Sequence, residues 1–277
     1  MGLSFPPLTA AQFAKICKIA LDEAGLNLLP TKQTMVATRL GRRLSRLAID
    51  SYDEYLALVD APDSHERLRM VAALTTNVSR FFREAHHFEL LRRQILPELI
   101  AAARSGQRVR LWSAGCANGQ EAVSMAICLL DQEPAAHLLD IRILGTDFDP
   151  SVVRYAQLGT YHHSMLGGLT GDQVARYFTK DTSARSYRVD VRITQMTLFR
   201  DLNLHGHWPM PGRFDAIMCR NVAIYFDRAH QDALWRRFWS KLTLDGHLFV
   251  GHSERVPSGF GYQAHSTCHT AYQRSRA

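Results

Sequence analysis

Cysteine is sparse and scattered in this sequence. Cys17, Cys116, Cys128, Cys219 and Cys268 are odd in number and form no Cys-x-x-Cys pair, which argues against both a disulfide framework and a cysteine zinc site. The 13 histidines show no HExxH or similar ligand spacing, and the neighbours His86-His87 and His162-His163 would point to different sides of a helix. No metal is therefore expected. Apolar runs fall short of the ~18 residues of a membrane span, and the amino terminus lacks the basic-then-apolar pattern of a signal peptide. The expectation is a cytoplasmic chain without membrane insertion. Missing too are the dinucleotide fingerprint and the phosphate-cradling loop with its Lys-Ser/Thr ending.

What is present centres on VRLWSAGCANGQEAVSMAI, residues 109 to 127. A short apolar run (Val109, Leu111, Trp112) passes into small residues holding Gly115 and Gly119, then into helical spacing at Val123, Ala126, Ile127 and Leu130. That is strand, tight turn, helix, with glycines where a ligand must approach the backbone of an α/β unit. Gln120 and Glu121 open the helix where a phosphate loop would carry a base. Glu121 can simply complement the helix dipole; it would also repel a pyrophosphate and suit a cofactor with positive charge. S-adenosylmethionine (SAM), with its sulfonium and amino group, meets that requirement.

The 277 residues allow one large domain or two small ones. The first 75 or so read as helices only: Thr9-x-x-Gln12 resembles a capping box, Gly25 stops the segment it opens, a second helix follows Pro30, and Ser51-x-x-Glu54 and Asp63-Ser64 start two more. On the second helix Arg39, Arg42, Arg43 and Arg46 stand at i, i+3, i+4, i+7. With a net charge of +7, such a rail reads either as a solvated face or as a surface for an acidic partner.

Further on, TTNVSRFFREAHHF (75 to 88) crowds polar residues against Phe81, Phe82 and Arg83, and a helix disturbed at Pro97 leads to the first strand. IRILGTDFDP (141 to 150) is a second strand ending in Asp147, the position that binds ribose hydroxyls in nucleotide-binding α/β folds. Residues 159 to 196 break the rhythm as an inserted β element, with a helix over Val174 to Phe178 and strand alternation through Tyr187, Val189, Val191 and Ile193. FDAIMCRNVAIYFD (214 to 227) resumes with a buried strand, a helix over 229 to 242 follows, and HLFVGHSE (247 to 254) is another strand before antiparallel closing strands. Ser113, Asp147 and Arg220 would converge on one sheet edge.

Taken together, these motifs resemble one family, the chemotaxis receptor methyltransferases of the CheR type, which are SAM-dependent protein-glutamate O-methyltransferases. TTNVSRFFREAHHF is similar to that family's Asn-x-Thr/Ser-x-Phe-Phe-Arg motif, VRLWSAGCANGQEA to its SAM loop, ILGTDFD to its ribose motif, and FDAIMCRNVAIYFD with GHSE to its closing motifs. The resemblance implies an α/β fold: a Rossmann-like methyltransferase sheet over 86–277 with a small β-subdomain inserted at about 159–196, preceded by an all-helical domain over 1–85. It further implies that Asn77, Ser79, Arg83, Glu121, Asp147, Asn203, Leu204, Arg220 and Asn221 line the cofactor site beside Gly115, that Arg83 and Tyr225 face the reacting carboxylate, and that S-adenosylhomocysteine is the product. The implied partner is the cytoplasmic helical bundle of a chemoreceptor (a methyl-accepting chemotaxis protein), met by Arg39, Arg42, Arg43 and Arg46, with a receptor C-terminal peptide as a second ligand at the inserted β-subdomain. Gln120, Ala122 and Val123 depart from the family's usual Glu, Pro and Tyr, and Ser79 stands where threonine is common.

Two other functions compete with this one. A nucleic-acid methyltransferase would suit the basic balance, but the Asn/Asp-Pro-Pro-aromatic and Pro-Cys motifs are missing, and no nucleic-acid partner is expected. A non-catalytic SAM-binding regulatory module is opposed by the joint presence of Asn77, Arg83, Glu121 and Asp147. On residue type alone, Tyr225 within an apolar IYF run reads as core, and Arg83 reads as a structural bridge.

Overall fold

A computed structural model describes residues 7–62, 64–181, 185–265 and 268–274. The chain divides into two compact units, one of residues up to Thr76 together with Tyr225–Gln231, the other of Asn77–Ile224 and Asp232 onward.

The described residues of the first unit include the α-helices α1 (Ala10–Ala24), α2 (Gln33–Leu47), α3 (Tyr52–Asp60) and α4 (Glu66–Leu74). Local chemistry sets their ends. Thr9 and Gln12 form a reciprocal capping box on α1, Gly25 closes it in the left-handed conformation, and Ser51 caps α3 by accepting from the Glu54 amide. The stretch preceding α4 includes Asp63, which lies outside the described residues. Phe13, Ile16, Val36, Leu40, Leu44, Tyr55 and Met70 fill the interior. Tyr225–Gln231 belongs here through its backbone: the Asn27 amide donates to the Tyr225 carbonyl at 2.8 Å, and Leu26 bridges Phe226.

The second unit begins with α5 (Ala85–Leu90), a single π-helical stretch at Leu91–Ile95, and α6 (Leu96–Arg104). The wide turn falls just before Pro97, whose missing N–H spoils regular helical bonding. There follow β1 (Val109–Ala114), α7 (Gln120–Gln132), β2 (Ile141–Asp147), α8 (Pro150–Leu158), β3 (Thr160–His162), α9 (Gly171–Tyr177), β4 (Phe178–Asp181), β5 (Ser186–Val189), α10 (Val191–Met196), β6 (Thr197–Asp201), β7 (Phe214–Cys219), α11 (Arg228–Lys241), β8 (Leu242–Val250), β9 (Tyr262–His265) and β10 (Cys268–Arg274). Seven strands form one sheet in the order β6-β2-β1-β7-β8-β10-β9. The first five are parallel, and β10 and β9 close it antiparallel. Because β1 has β2 on one side and β7 on the other, the winding reverses there. Ala114, Asp147 and Cys219 consequently end on the same sheet edge, at the switch point where such sheets bind ligands. The small antiparallel sheet β3-β5-β4 is the inserted element.

Helix α7 is covered on every side, each residue from Gln120 to Leu130 being buried. A helix wrapped in this way has no solvent stripe, and its first turn is held at the edge by packing that extends to Leu130.

Three local expectations are corrected. The strand expected through Ile193 stops at Val189, because the Asp190 carboxylate accepts from the Arg192 amide at 2.8 Å and starts α10. The helix expected over Val174–Phe178 begins instead at Gly171, where Thr170 and Gln173 make a capping box. Leu242, expected in a helix, opens β8 opposite Phe214. At the front, the first compact unit runs to Thr76, and Phe81 and Phe88 are buried in the core of the second.

Candidate active site at the carboxyl edge of the sheet

The turn after β1 folds back on β2. Gly115 and Gly119 both have left-handed φ, +81° and +82°, and the Gly115 and Cys116 amides donate to the Thr146 carbonyl at 2.8 and 2.9 Å. A β-carbon on Gly115 would collide with Val222 Cγ2, so the turn has room for glycine alone. The next amide, that of Ala117, donates to Asp147 Oδ2 at 2.8 Å, while Asp147 Oδ1 accepts from the Asp149 amide at 3.0 Å. Burial pushes the Asp147 carboxyl above its ordinary value, against the pull of these amide bonds. Three amides, those of Ala117, Phe148 and Asp149, leave the carboxylate with acceptor capacity for a further donor such as a ribose hydroxyl.

Asn77 joins this end of the site by donating from Nδ2 to Asp149 Oδ2 at 2.9 Å. The Leu202 amide donates to the Asp147 carbonyl at 2.8 Å, which brings the following Asn203 and Leu204 alongside. Asn203 Oδ1 accepts from the His205 amide at 2.9 Å in a tight turn, and the Leu204 carbonyl accepts from Arg237 Nη1 at 2.7 Å. Ser79 is half-buried in the irregular stretch before Phe81.

At the other end, Glu121 is 8% exposed and both its oxygens are engaged: Oε1 accepts from Ser113 Oγ and Oε2 from Arg220 Nε, each at 2.7 Å. The acid that opens α7 is thus already matched by a guanidinium, and a bound cation would join an existing pair rather than meet a bare carboxylate. Arg220 also donates from Nη1 to the Arg83 carbonyl and faces His87 Nδ1 at 3.3 Å, with its plane 5.1 Å from the centre of the Phe88 ring. Arg83 itself donates from Nη1 to the Val78 carbonyl at 2.9 Å, in an exposed bond that ties it back to the irregular segment it follows.

His87 is fully buried, and its ring is pushed down to about 3 by burial and by Arg220. A neutral ring accepting from Arg220 at Nδ1 leaves Nε2 to donate to Thr270 Oγ1 at 2.8 Å, a tautomer assigned from these partners. His86, His87 and Cys268 bring donor atoms within 4.8 Å of one another. With Nδ1 and Nε2 engaged as described, His87 offers that cluster no free lone pair.

Asn221, at φ +60°, turns the chain after β7. Its Oδ1 is buried with no hydrogen-bond partner among the described residues, an acceptor of the kind a bound donor would satisfy. This orphaned atom, the glycine turn and the Asp147 carboxylate fit a nucleoside cofactor. Tyr225 and the four arginines of α2 belong to the helical unit. There Arg39 donates to the Leu74 and Thr75 carbonyls, both at 2.7 Å, and Arg43 is bound to the buried Glu66 carboxylate. Of that set Arg42 and Arg46 are exposed, and Arg39 and Arg43 are half-buried.

The sequence motifs assign no role to Glu84, His87, Arg237 and Glu254, and they place Ser113 only at the sheet edge. The acid of GHSE was the available signal for Glu254, since it follows a glycine at the end of a strand.

Residues 77–271 match the model of the CheR methyltransferase SAM-binding domain, and residues 11–75 that of the CheR methyltransferase all-alpha domain. The chain belongs to the CheR methyltransferase family. Among its relatives, a probable chemotaxis protein methyltransferase of Rhizobium etli is 42% identical over 238 residues, which cover 85% of this chain and 89% of that protein. The chemotaxis protein methyltransferase of Klebsiella aerogenes is 40% identical over 254 residues, covering 90% and 84%. That of Escherichia coli is 39% identical over 251 residues, covering 89% and 85%. This CheR family member is accordingly a SAM-dependent methyltransferase, with a helical front domain and a mixed α/β cofactor domain. Among the described residues no helix is long and apolar enough to cross a membrane.

Proposed function

We propose that this protein transfers the methyl group of SAM to glutamate side-chain carboxylates on the cytoplasmic helical bundle of a chemoreceptor, leaving glutamate methyl esters and S-adenosylhomocysteine. The observation that carries the reading is the set of groups at one sheet edge: Asp147 on the glycine turn, Glu121 paired with Arg220, and the Arg83 backbone tied to that same guanidinium. When bound, SAM supplies an electrophilic methyl carbon on a sulfonium.

The residues assigned to hold it are Asn77, Ser79, Arg83, Gly115, Glu121, Asp147, Asn203, Leu204, Arg220 and Asn221. Asp147 would accept from ribose hydroxyls, Asn203 and Leu204 would border the base, and Asn221 Oδ1 would accept from the amino group. A glutamate carboxylate, with a reference pKa near ~4.3, is anionic at neutral pH and attacks without a general base. The protein's task is alignment and exclusion of water. Arg83 suits the first through its planar, two-pronged donor geometry for carboxylates, and Tyr225 is assigned a hydrogen bond to the same group on the strength of its motif.

An acidic receptor surface complements the exposed arginines of α2, and an edge strand of the inserted β-sheet suits a receptor C-terminal peptide by strand addition. Methyl-labelled SAM with a chemoreceptor cytoplasmic fragment tests the reaction: label is expected on the receptor and is released by mild base as a carboxyl ester. Base-stable label, or label taken up by nucleic acid instead, sinks it. SAM binding without any transfer would favour the regulatory module.

A further inference from the structure

Beyond β8 the chain turns through Gly251 and His252 and buries a second acid. Glu254 is 4% exposed, and its carboxylate is occupied wholly by main-chain donors. Oε2 accepts from the Asn221 amide at 2.9 Å and the Gly251 amide at 2.5 Å; Oε1 accepts from the Val222 amide at 3.0 Å and the Ile224 amide at 3.2 Å. These four amides come from the ends of two adjacent parallel strands, β7 and β8. Converging N–H groups make an anion-binding concavity, and here the anion is a side chain of the protein itself.

The backbone is shaped to the carboxylate. Asn221 takes a left-handed φ of +60°, which a non-glycine residue adopts at a cost. Gly251 has no room for a side chain, since a β-carbon there would lie 2.6 Å from Asn221 Nδ2, 2.7 Å from Asn221 N and 2.8 Å from Glu254 Oε2. What the carboxylate holds is the turn from Arg220 to Ile224. Arg220 starts that turn paired to Glu121, and Val222 rests where a Gly115 side chain would stand.

We propose that Glu254 is a positioning residue for the SAM site, acting through Asn221 and Val222 rather than by touching cofactor or substrate. The inference rests on the assignment of this edge as the SAM site. Removing the carboxylate leaves four converging donors without their acceptor, the Gly251 amide buried and those of Asn221, Val222 and Ile224 partly so, and the turn then has no reason to keep Val222 on the glycine loop or Asn221 Oδ1 at the edge.

The test uses the full chain, with S-adenosylhomocysteine as the binding probe. Glu254→Gln keeps the shape but points an NH2 group at two of the four amides. It is expected to weaken binding about tenfold or more, with the KM for SAM rising by a similar factor while the KM for the receptor fragment stays within twofold. Because Glu254→Gln can fail to fold, Val222→Ala serves as the second variant; it leaves the carboxylate and its amides intact and is expected to weaken the same probe by several-fold. Unchanged probe affinity in folded Glu254→Gln, unchanged affinity in Val222→Ala, or parallel loss of both KM values overturns the proposal. Failure of the unsubstituted protein to bind the probe overturns the assignment of the edge on which it rests.

Discussion

Arg220 Nε and Glu121 Oε2 meet at 2.7 Å, with side chains 2% and 10% exposed, and so tie the end of β7 to the first turn of α7. Ser113 completes the carboxylate's partners from the end of β1. Two charges out of water require one another; a lone survivor costs far more than the pair. Glu121→Ala is therefore expected to lower unfolding free energy by about 3–5 kcal/mol and to abolish measurable SAM binding. Glu121→Gln, which keeps an acceptor for Arg220, should lose less of both. Urea denaturation monitored alongside probe binding separates the two effects, and a stability loss under 1 kcal/mol for the alanine variant would mean that the pair is not buried in solution.

Protonation of His87 provides a second check. Its ring is held near 3 in the fold, by burial first and by Arg220 next, and His86 and Glu84 also face it. The unfolded value is about 6.5, so between these limits the unfolded chain carries a proton that the fold does not. Stability from this group is thus complete above about pH 6.5 and declines as pH falls, by up to about 1.4 kcal/mol per pH unit. His247, held near 4 by burial and its stacked neighbour His265, adds a slope of the same sign over a shorter range. NMR should find the His87 ring resonances flat from pH 8 to 5. A titration midpoint near 6.5 would show the ring to be exposed to water.

How much of this was legible beforehand follows the range over which each interaction acts. Thr9, Gln12, Gly25 and Ser51 signal helix ends through contacts a few residues apart, and they stand where the spacing placed them. The end of β2 at Asp147 was legible because the apolar run of that strand stops there. Arg43 was not: its spacing on α2 put it on a charged stripe, while its partner Glu66 lies 23 residues away and buried. Asp190 misled for a related reason, since alternation at Tyr187 and Val189 continues through Val191 and Ile193 as though no cap intervened. Glu254 serves four amides, three of them in a turn about thirty residues earlier. No local pattern encodes such a partnership.

Arg237 makes the loop after β6 a further point of attack. Its guanidinium donates to the Leu204, His205 and Gly206 carbonyls at 2.7, 3.4 and 2.5 Å and lies 3.9 Å from the centre of the Trp208 ring. A lysine keeps the charge but not the planar fork. For Arg237→Lys we expect a change in tryptophan emission and a loss of about threefold to tenfold in S-adenosylhomocysteine affinity, as Asn203 and Leu204 lose their fixed path. Fluorescence titration reads both; unaltered affinity with altered emission would take this loop out of the cofactor site.

The basic face of the helical unit yields a prediction that the four arginines of α2 do not share. Arg39 and Arg43 are committed, one to the carbonyls at the end of α4 and the other to Glu66, whose Oε1 also accepts from Tyr55 at 2.9 Å. Arg42 and Arg46 are exposed, and exposed charges set encounter rate and salt dependence with a charged partner more than stability. Charge reversal at Arg42 and Arg46 should therefore raise the KM for a receptor fragment several-fold, steepen no denaturation curve and leave SAM affinity alone. Arg43→Ala instead leaves Glu66 buried without its cation and should cost about 3 kcal/mol of stability. Methylation assays over a range of salt, paired with thermal melts, distinguish the two classes. If reversal at Arg42 and Arg46 leaves receptor KM and its salt dependence unmoved, this face is a solvated surface and the receptor is recognised elsewhere.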